Sequence, residues 1–327
     1  MGKLYLVTGA TGHVGSVLTE ALLARGEHVR ALVLPGSAGG VPTGVEAIEG
    51  DVSDEASLEP FFDLPAGSEA TLIHCAALIT LASKESPRVW DVNVAGTDNV
   101  MRQAARAGVV RVVYVSSVHA IPERPAPQLI SEVDSFDAGS VHGQYAKSKA
   151  AAAAKVLEHA RQGLNVSIVH PSGVIGPGDA LRTNHMVRTL NAMASGAIPA
   201  AIQGGYDFVD SRDVAAGILA CEEAGRPGRC YILSGHYISV LDALNMARSL
   251  VGKGSRHLEL PHGLAALIAP AAERIMMLAG DAAPIFTPYS VYTLHTNGRF
   301  SHERATRELG YQPRPIEESI RASIWRI

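Results

Sequence analysis

The 327-residue chain is short of several things, and each shortage narrows what it can be. It has three cysteines, Cys75, Cys221 and Cys230, in no CxxC or Cys/His spacing that suggests zinc. Cys75 ends an apolar, strand-like run and reads as a small buried hydrophobe. The thirteen histidines are scattered, so no metal is expected. Charged residues make up 18% and the formal net charge is −4. That balance gives no reason to expect nucleic acid or an anionic membrane as partner. No apolar run is clean enough to span a bilayer. The most lipid-like stretch, residues 258–280, contains Glu259, Pro261, His262, Pro270, Glu273 and Arg274, and reads as an amphipathic helix. The first motif begins at Thr8, which leaves no room for a signal peptide, and the default expectation is a cytoplasmic location.

What remains is an ordinary globular composition. Apolar residues make up 47%, which excludes wholesale disorder. The length suffices for one α/β domain with a smaller lobe, or for two domains. The first sixteen residues set the frame. An apolar run at 4–7 has a strand's length, and Gly9, Gly12 and Gly15 follow at three-residue spacing. Val14, Val17, Leu18, Ala21 and Leu22 then repeat with a helical period. Strand, glycine turn and helix make the first half of a dinucleotide-binding βαβ unit. A bare turn lets a pyrophosphate approach the backbone, and the amides of the helix N-terminus point at its oxygens.

Further strands are expected at 28–34, 45–48, 70–75, 109–115 and 166–169, and helices at 54–62, 87–107 and 145–162. Strand and helix alternate without hairpin signals. This predicts an α/β fold: a Rossmann-type doubly wound parallel sheet over residues 1–170. Residues 171–327 are expected to form mainly a smaller, mostly helical C-terminal substrate lobe, with about 205–235 returning to the sheet. The loop at 170–179 follows the sixth strand at its carboxyl end, where open α/β sheets bind ligands.

Tyr145 and Lys149 are four apart on a predicted helix and therefore share a face. An ammonium beside a phenol favours the phenolate, which predicts a tyrosine pKa lowered toward working pH. Such a tyrosine exchanges a proton with a carbonyl or alcohol oxygen, and Ser117, after the fifth strand, can hydrogen-bond the same oxygen. Each signal alone is common on ordinary helices and turns. Their order along one chain, after a glycine turn, is what carries the reading.

With these residues in place, the chain resembles the extended short-chain dehydrogenase/reductases, the NAD-dependent epimerase/dehydratase family, over nearly its whole length. Thr8 to Gly15 matches that family's TGxxGxxG turn. The resemblance implies that Asp51 and Val52 meet the adenine, that Ala76 and Ala77 pass the cofactor, and that Asn93 helps order the active site. It implies Ser117, Tyr145 and Lys149 as the catalytic trio. The segments from Phe208 to Ala215 and from Glu308 to Pro313 match extended-type signatures. The run His170-Pro171-Ser172-Gly173-Val174-Ile175 is most similar to the dihydroflavonol reductase and 3β-hydroxysteroid dehydrogenase branch. That branch implies an NAD(P)(H)-dependent oxidoreductase acting on a carbonyl or alcohol of a fairly apolar small molecule.

The candidate cofactor contacts are therefore Gly9, Thr11, Gly12, His13, Val14, Gly15, Arg30, Asp51, Val52, Ala76, Ala77, Tyr145, Lys149, Pro171, Ser172 and Val174. Arg30 lies early on its strand and also reads as solvated or structural. Val33 and Leu34 stand where an acid would select NAD(H) or an arginine NADP(H); without the acid, the reading leans to NADP(H) over NAD(H). Candidate substrate contacts are Thr80, His119, Gln144, Ile175, His185 and Tyr206. Each histidine among them also suits a plain surface or core role. Two other functions stay open: a nucleotide-sugar epimerase or dehydratase with tightly held NAD, and a non-catalytic NAD(P)-sensing protein. A homodimer through the helices at 93–107 and 145–162 is expected by analogy.

Overall fold

The computed structural model describes residues 3–65, 67–179, 182–278 and 284–325. Its first half runs β1 (Leu4–Thr8), α1 (His13–Ala24), β2 (His28–Val33), β3 (Glu46–Glu49), β4 (Ala70–His74), α2 (Pro87–Trp90), α3 (Thr97–Arg106), β5 (Arg111–Val115), α4 (Gln144–Arg161) and β6 (Val166–Pro171). The second half runs β7 (Gly173–Ile175), α5 (His185–Ser195), β8 (Ala201–Ile202), β9 (Gly205–Asp210), α6 (Ser211–Ala224), β10 (Cys230–Leu233) and β11 (His236–Ser239). It ends with α7 (Val240–Leu250), β12 (Glu259–Leu260), α8 (His262–Leu278), α9 (Pro288–His295), α10 (Glu303–Leu309) and α11 (Ile316–Ser323).

Seven strands form one sheet in the order β10-β6-β5-β4-β1-β2-β3. Every pairing in it is parallel. Parallel strands covered on both faces need continuous apolar runs, and β4 and β5 are buried at every position. One face packs α3 and α4 through Val100, Met101, Ala153 and Val156. The other packs α1 and α6 through Leu18, Leu22, Val214 and Ile218. The strand order reverses beside β1, which opens a crevice between the carboxyl ends of β1 and β4. Strand β10 and helix α6 return to this sheet from the second half of the chain. Helices α5 and α7 pack with Ile320 of α11 in a separate apolar cluster.

Three details differ from the sequence reading. The helix expected at 54–62 is only a short 3-10 turn, Glu55–Leu58, with the Asp54 carboxylate accepting from Ala56 N. Pro60 has no amide to extend it, and Phe61 and Phe62 turn into the core. The helix at 87–107 is interrupted by a π-helical stretch, Asp91–Gly96. The chain also contains an antiparallel pairing that no hairpin signal announced: β11 runs against β9 in a small sheet ordered β11-β9-β7. Gly235 makes that crossing possible, because a Cβ there would lie 2.0 Å from the Phe208 carbonyl oxygen.

Candidate active site

The glycine turn leaves β1 toward the crevice. Gly9 takes φ +69°, and a Cβ on it would meet the Ala76 backbone at 2.7 Å. A Cβ on Gly15 would fall 2.1 Å from the Gly9 oxygen. The turn is thus bare because the helix, the strand exit and the next loop all crowd it. Gly12 N donates to Gly9 O at 3.0 Å, and α1 starts with no side-chain cap. Its first amides are left for a ligand, which is the geometry that holds a phosphate. The residues present fit a dinucleotide pyrophosphate.

Gly9, Gly12, His13, Val14 and Gly15 line the base of a cavity of about 710 Å³. The same cavity reaches Ser117, Tyr145 and Lys149, so the glycine turn and the expected catalytic trio share one space. Its outer wall is apolar, built by Met186, Leu190 and Met193 of α5, Phe208, and Ile268 and Met276 of α8. Among the described lining residues, Lys149 and Glu259 are the only ones with a full charge.

Lys149 is 1% exposed, donates to Val115 O at 2.9 Å and lies 4.6 Å from the centre of the Tyr114 ring. Burial lowers its pKa, and the nearby Tyr145 opposes that. For Tyr145, burial pushes the phenol up, while the Lys149 ammonium and the Ser117 hydroxyl pull it down. Burial wins, and the phenol stays above its ordinary value. The expected lowering of Tyr145 is therefore present as a cause but outweighed in the cavity of the protein alone.

Asn93 is 1% exposed on the π-helical stretch. Its Oδ1 accepts from Leu78 N at 2.7 Å, and its Nδ2 donates to Leu78 O and to Ser148 Oγ, each at 3.0 Å. It clamps the loop after β4 to α4. Ala77 of that loop lines the cavity, and Ala76 N donates to Thr8 Oγ1 at 3.2 Å. Pro171, Ser172 and Val174 line the cavity as well. Thr11 is half-buried, with its methyl group beside Gly40. Asp51 is held by Ser53 and Arg88; burial pushes its carboxyl up, but those partners bring it below its ordinary value. Val52 is buried, and its carbonyl accepts from Asn99 Nδ2.

Four expected contacts fall elsewhere. Arg30 takes the structural role: it pairs with Glu46 at 2.8 Å and donates to Phe61 O and Asp63 O, so it staples β2 to β3 and the loop beyond. Gln144 clasps the backbone of Ser86 with both ends of its amide. The Thr80 hydroxyl accepts from Ala82 N, while its neighbours Ile79 and Leu81 face the cavity. Ile175 is fully buried in the apolar cluster of the lobe. His119, His185 and Tyr206 do line the cavity. His119 sits between two phenols, with Nε2 2.9 Å from Tyr206 Oη and Nδ1 3.3 Å from Tyr289 Oη. Burial drops the His119 and His185 pKa values to about 4, so both are neutral at physiological pH.

Several participants were not picked out from the sequence. His170, fully buried, bonds the Ser117 carbonyl through Nδ1 at 2.9 Å. Asn184 caps α5 and donates to His13 Nδ1 at 2.7 Å, joining the lobe to the glycine turn. On the far side of β2, Glu49 ends the edge strand β3 in register with Val33, and its carboxylate accepts from Gly36 N at 2.9 Å. Among the described residues, no cluster of His, Cys, Asp or Glu is arranged to hold a metal ion.

The sequence profile of the NAD dependent epimerase/dehydratase family matches residues 5–233. The chain is 35% identical to sterol demethylase protein B of Methylococcus capsulatus, over 94% of this chain and 93% of that one. It is 30% identical to a putative dihydroflavonol 4-reductase of Synechocystis, over 98% of this chain and 93% of that one. Among solved structures, gox2253 superposes with a TM-score of 0.83 at 31% identity, covering 98% of this chain and 96% of that one.

Proposed function

The chain belongs to the NAD dependent epimerase/dehydratase family, and from that premise we propose that it interconverts a bulky, apolar alcohol and its ketone or aldehyde. The observation that carries this reading is the shared cavity, with a phosphate-type glycine turn at one end, Ser117, Tyr145 and Lys149 between, and an apolar wall beyond. A bound nicotinamide dinucleotide supplies or accepts the hydride at the carbon. In the reducing direction Tyr145 gives its phenolic proton to the carbonyl oxygen while Ser117 holds that oxygen by a hydrogen bond. Lys149 steadies the phenolate that results, and its burial makes that charge interaction strong. The sterol in the name of the Methylococcus relative agrees with a substrate of polycyclic size.

The second reading is a nucleotide-sugar epimerase or dehydratase. It would require cations for a substrate diphosphate. Lys149, the one cation among the described lining residues, is committed to Val115 O and the phenol. The test is turnover with added cofactor and a panel of cyclic apolar alcohols and ketones. The wild type should consume cofactor stoichiometrically, and Tyr145→Phe should lose about 10²–10⁴-fold in kcat while still binding nucleotide. Turnover unchanged in that variant rules out the mechanism. Product formed without net use of added cofactor supports the epimerase reading instead.

A further inference from the structure

Helix α8 is turned inside out. The face it buries carries Ala265, Ala269 and Glu273. The face it shows to solvent carries Leu264, Leu267, Ile268, Ile275, Met277 and Leu278, which are between 40 and 83% exposed. Leu264, Leu267, Ala271, Ile275 and Leu278 recur at helical spacing, so they form one stripe along 17 residues, about 25 Å of helix. Monomers seldom leave so long an apolar patch without a use. The acid on α8 does not interrupt it, because Glu273 points inward and accepts from Ser83 N and Ser83 Oγ, each at 2.8 Å. By composition Glu273 is one of the residues that make 258–280 too polar for a span; the fold removes it from the surface.

Two observations choose the occupant. The patch is continuous with the mouth of the substrate cavity, since Ile268, Leu258 and Ile79 are both exposed and part of the cavity wall. A second copy of the chain seated there would cap that mouth, whereas an apolar phase would feed it. The charge beside the stripe also favours lipid. Arg274 lies on α8, Lys84 follows the residue that Glu273 holds, and Arg256 stands just before β12; among the described residues, Glu85 and Glu259 are the acids in the same segments. Among these described residues the cations outnumber the acids by three to two, a balance that tolerates anionic headgroups.

We propose that α8 is a peripheral membrane-docking helix, lying in the surface of an anionic bilayer with its Leu/Ile stripe in the lipid, so that the apolar substrate passes from lipid into the cavity. This is surface binding and not a span: among the described residues no helix is long and apolar enough to cross a membrane. The substrate route rests on the oxidoreductase reading above; the docking does not.

The first measurement is sedimentation of the purified protein with vesicles of 70:30 neutral to anionic phospholipid, with no substrate present. The wild type should partition to the vesicles, less so at high salt. Leu267→Asp/Ile275→Asp should lower partitioning by about tenfold or more, and Arg274→Glu should lower it less. Both sites are exposed, and an unchanged melting temperature checks that each variant folds. No partition of the wild type, partition equal in the double variant, or a drop from dimer to monomer mass on making the double variant would each overturn the proposal. In the second measurement, substrate is presented in vesicles or in detergent-free solution. The double variant should lose rate only with vesicles; loss in both points to damage at the catalytic site, and vesicle binding without any turnover counts against the oxidoreductase reading alone.

Discussion

Glu49 ends β3 beside the exit of β2, and the loop amide of Gly36 is bonded to its carboxylate. The ribose end of a dinucleotide lies at that exit in sheets of this order. A fixed negative charge there repels a 2′-phosphate, and Arg30, the cation nearest in the sequence, is spent on Glu46 and two carbonyls. We therefore expect NAD(H) to bind more tightly than NADP(H), against the lean read from Val33 and Leu34 alone. Thermal shift with the four nucleotides checks this, and Glu49→Ala should narrow the preference by about tenfold, roughly 1.4 kcal/mol. A wild-type preference for NADPH rejects it. The positions proposed for catalysis, Ser117, Tyr145 and Lys149, follow from local spacing on a strand end and one helix face, and all three line the one cavity. The bonds that Arg30 and Gln144 make were not legible, for the opposite reason: Glu46, Asp63 and Ser86 are distant in sequence, and no local pattern reveals them.

At the level of elements, the π-helical stretch at Asp91–Gly96 holds Asn93 against both the loop after β4 and Ser148 of α4. A π-bulge widens one turn and re-aims its side chains, and it is a frequent device at functional sites. Asn93→Ala leaves the Leu78 amide and carbonyl without their partner and unties Ala77 and Ile79, which face the cavity. Steady-state kinetics should show KM for the alcohol or ketone rising more than kcat falls. The melting temperature should also drop, by the equivalent of about 1–3 kcal/mol for the buried groups left unpaired. An Asn93→Ala enzyme with kcat reduced and KM unchanged would place Asn93 on the chemical step instead. The strands and long helices were visible in the sequence because period and punctuation are local. The small sheet β11-β9-β7 was not, since its antiparallel pair joins segments separated by α6 and β10.

For the whole molecule, the buried histidines set the response to acid. His74 is held near pKa 3, and His119, His170 and His185 near 4, in each case first by burial. An unfolded histidine titrates near 6.5. Below that pH the unfolded chain binds protons the folded chain refuses, so stability present above pH 6.5 is lost as pH falls toward 4. Asp207 acts the other way: burial raises its pKa to about 7, and its contribution is lost as pH rises from the ordinary carboxylate range to 7. Four groups outweigh one, and the melting temperature should fall between pH 7 and pH 5. A midpoint that is flat or rises over that interval contradicts the buried, neutral histidines.

The single cavity that joins the glycine turn to the apolar mouth also dictates an order of events in time. In the proposed reaction the nucleotide takes the base, at the glycine turn, and the substrate lies over it toward α8. We therefore expect a queue, in which the coenzyme arrives first and departs last. Product-inhibition patterns should accordingly show a compulsory sequence, with the two nucleotide forms competing with each other and the alcohol or ketone product noncompetitive against coenzyme. Random-order patterns would mean that the two ligands reach the reaction centre by separate doors.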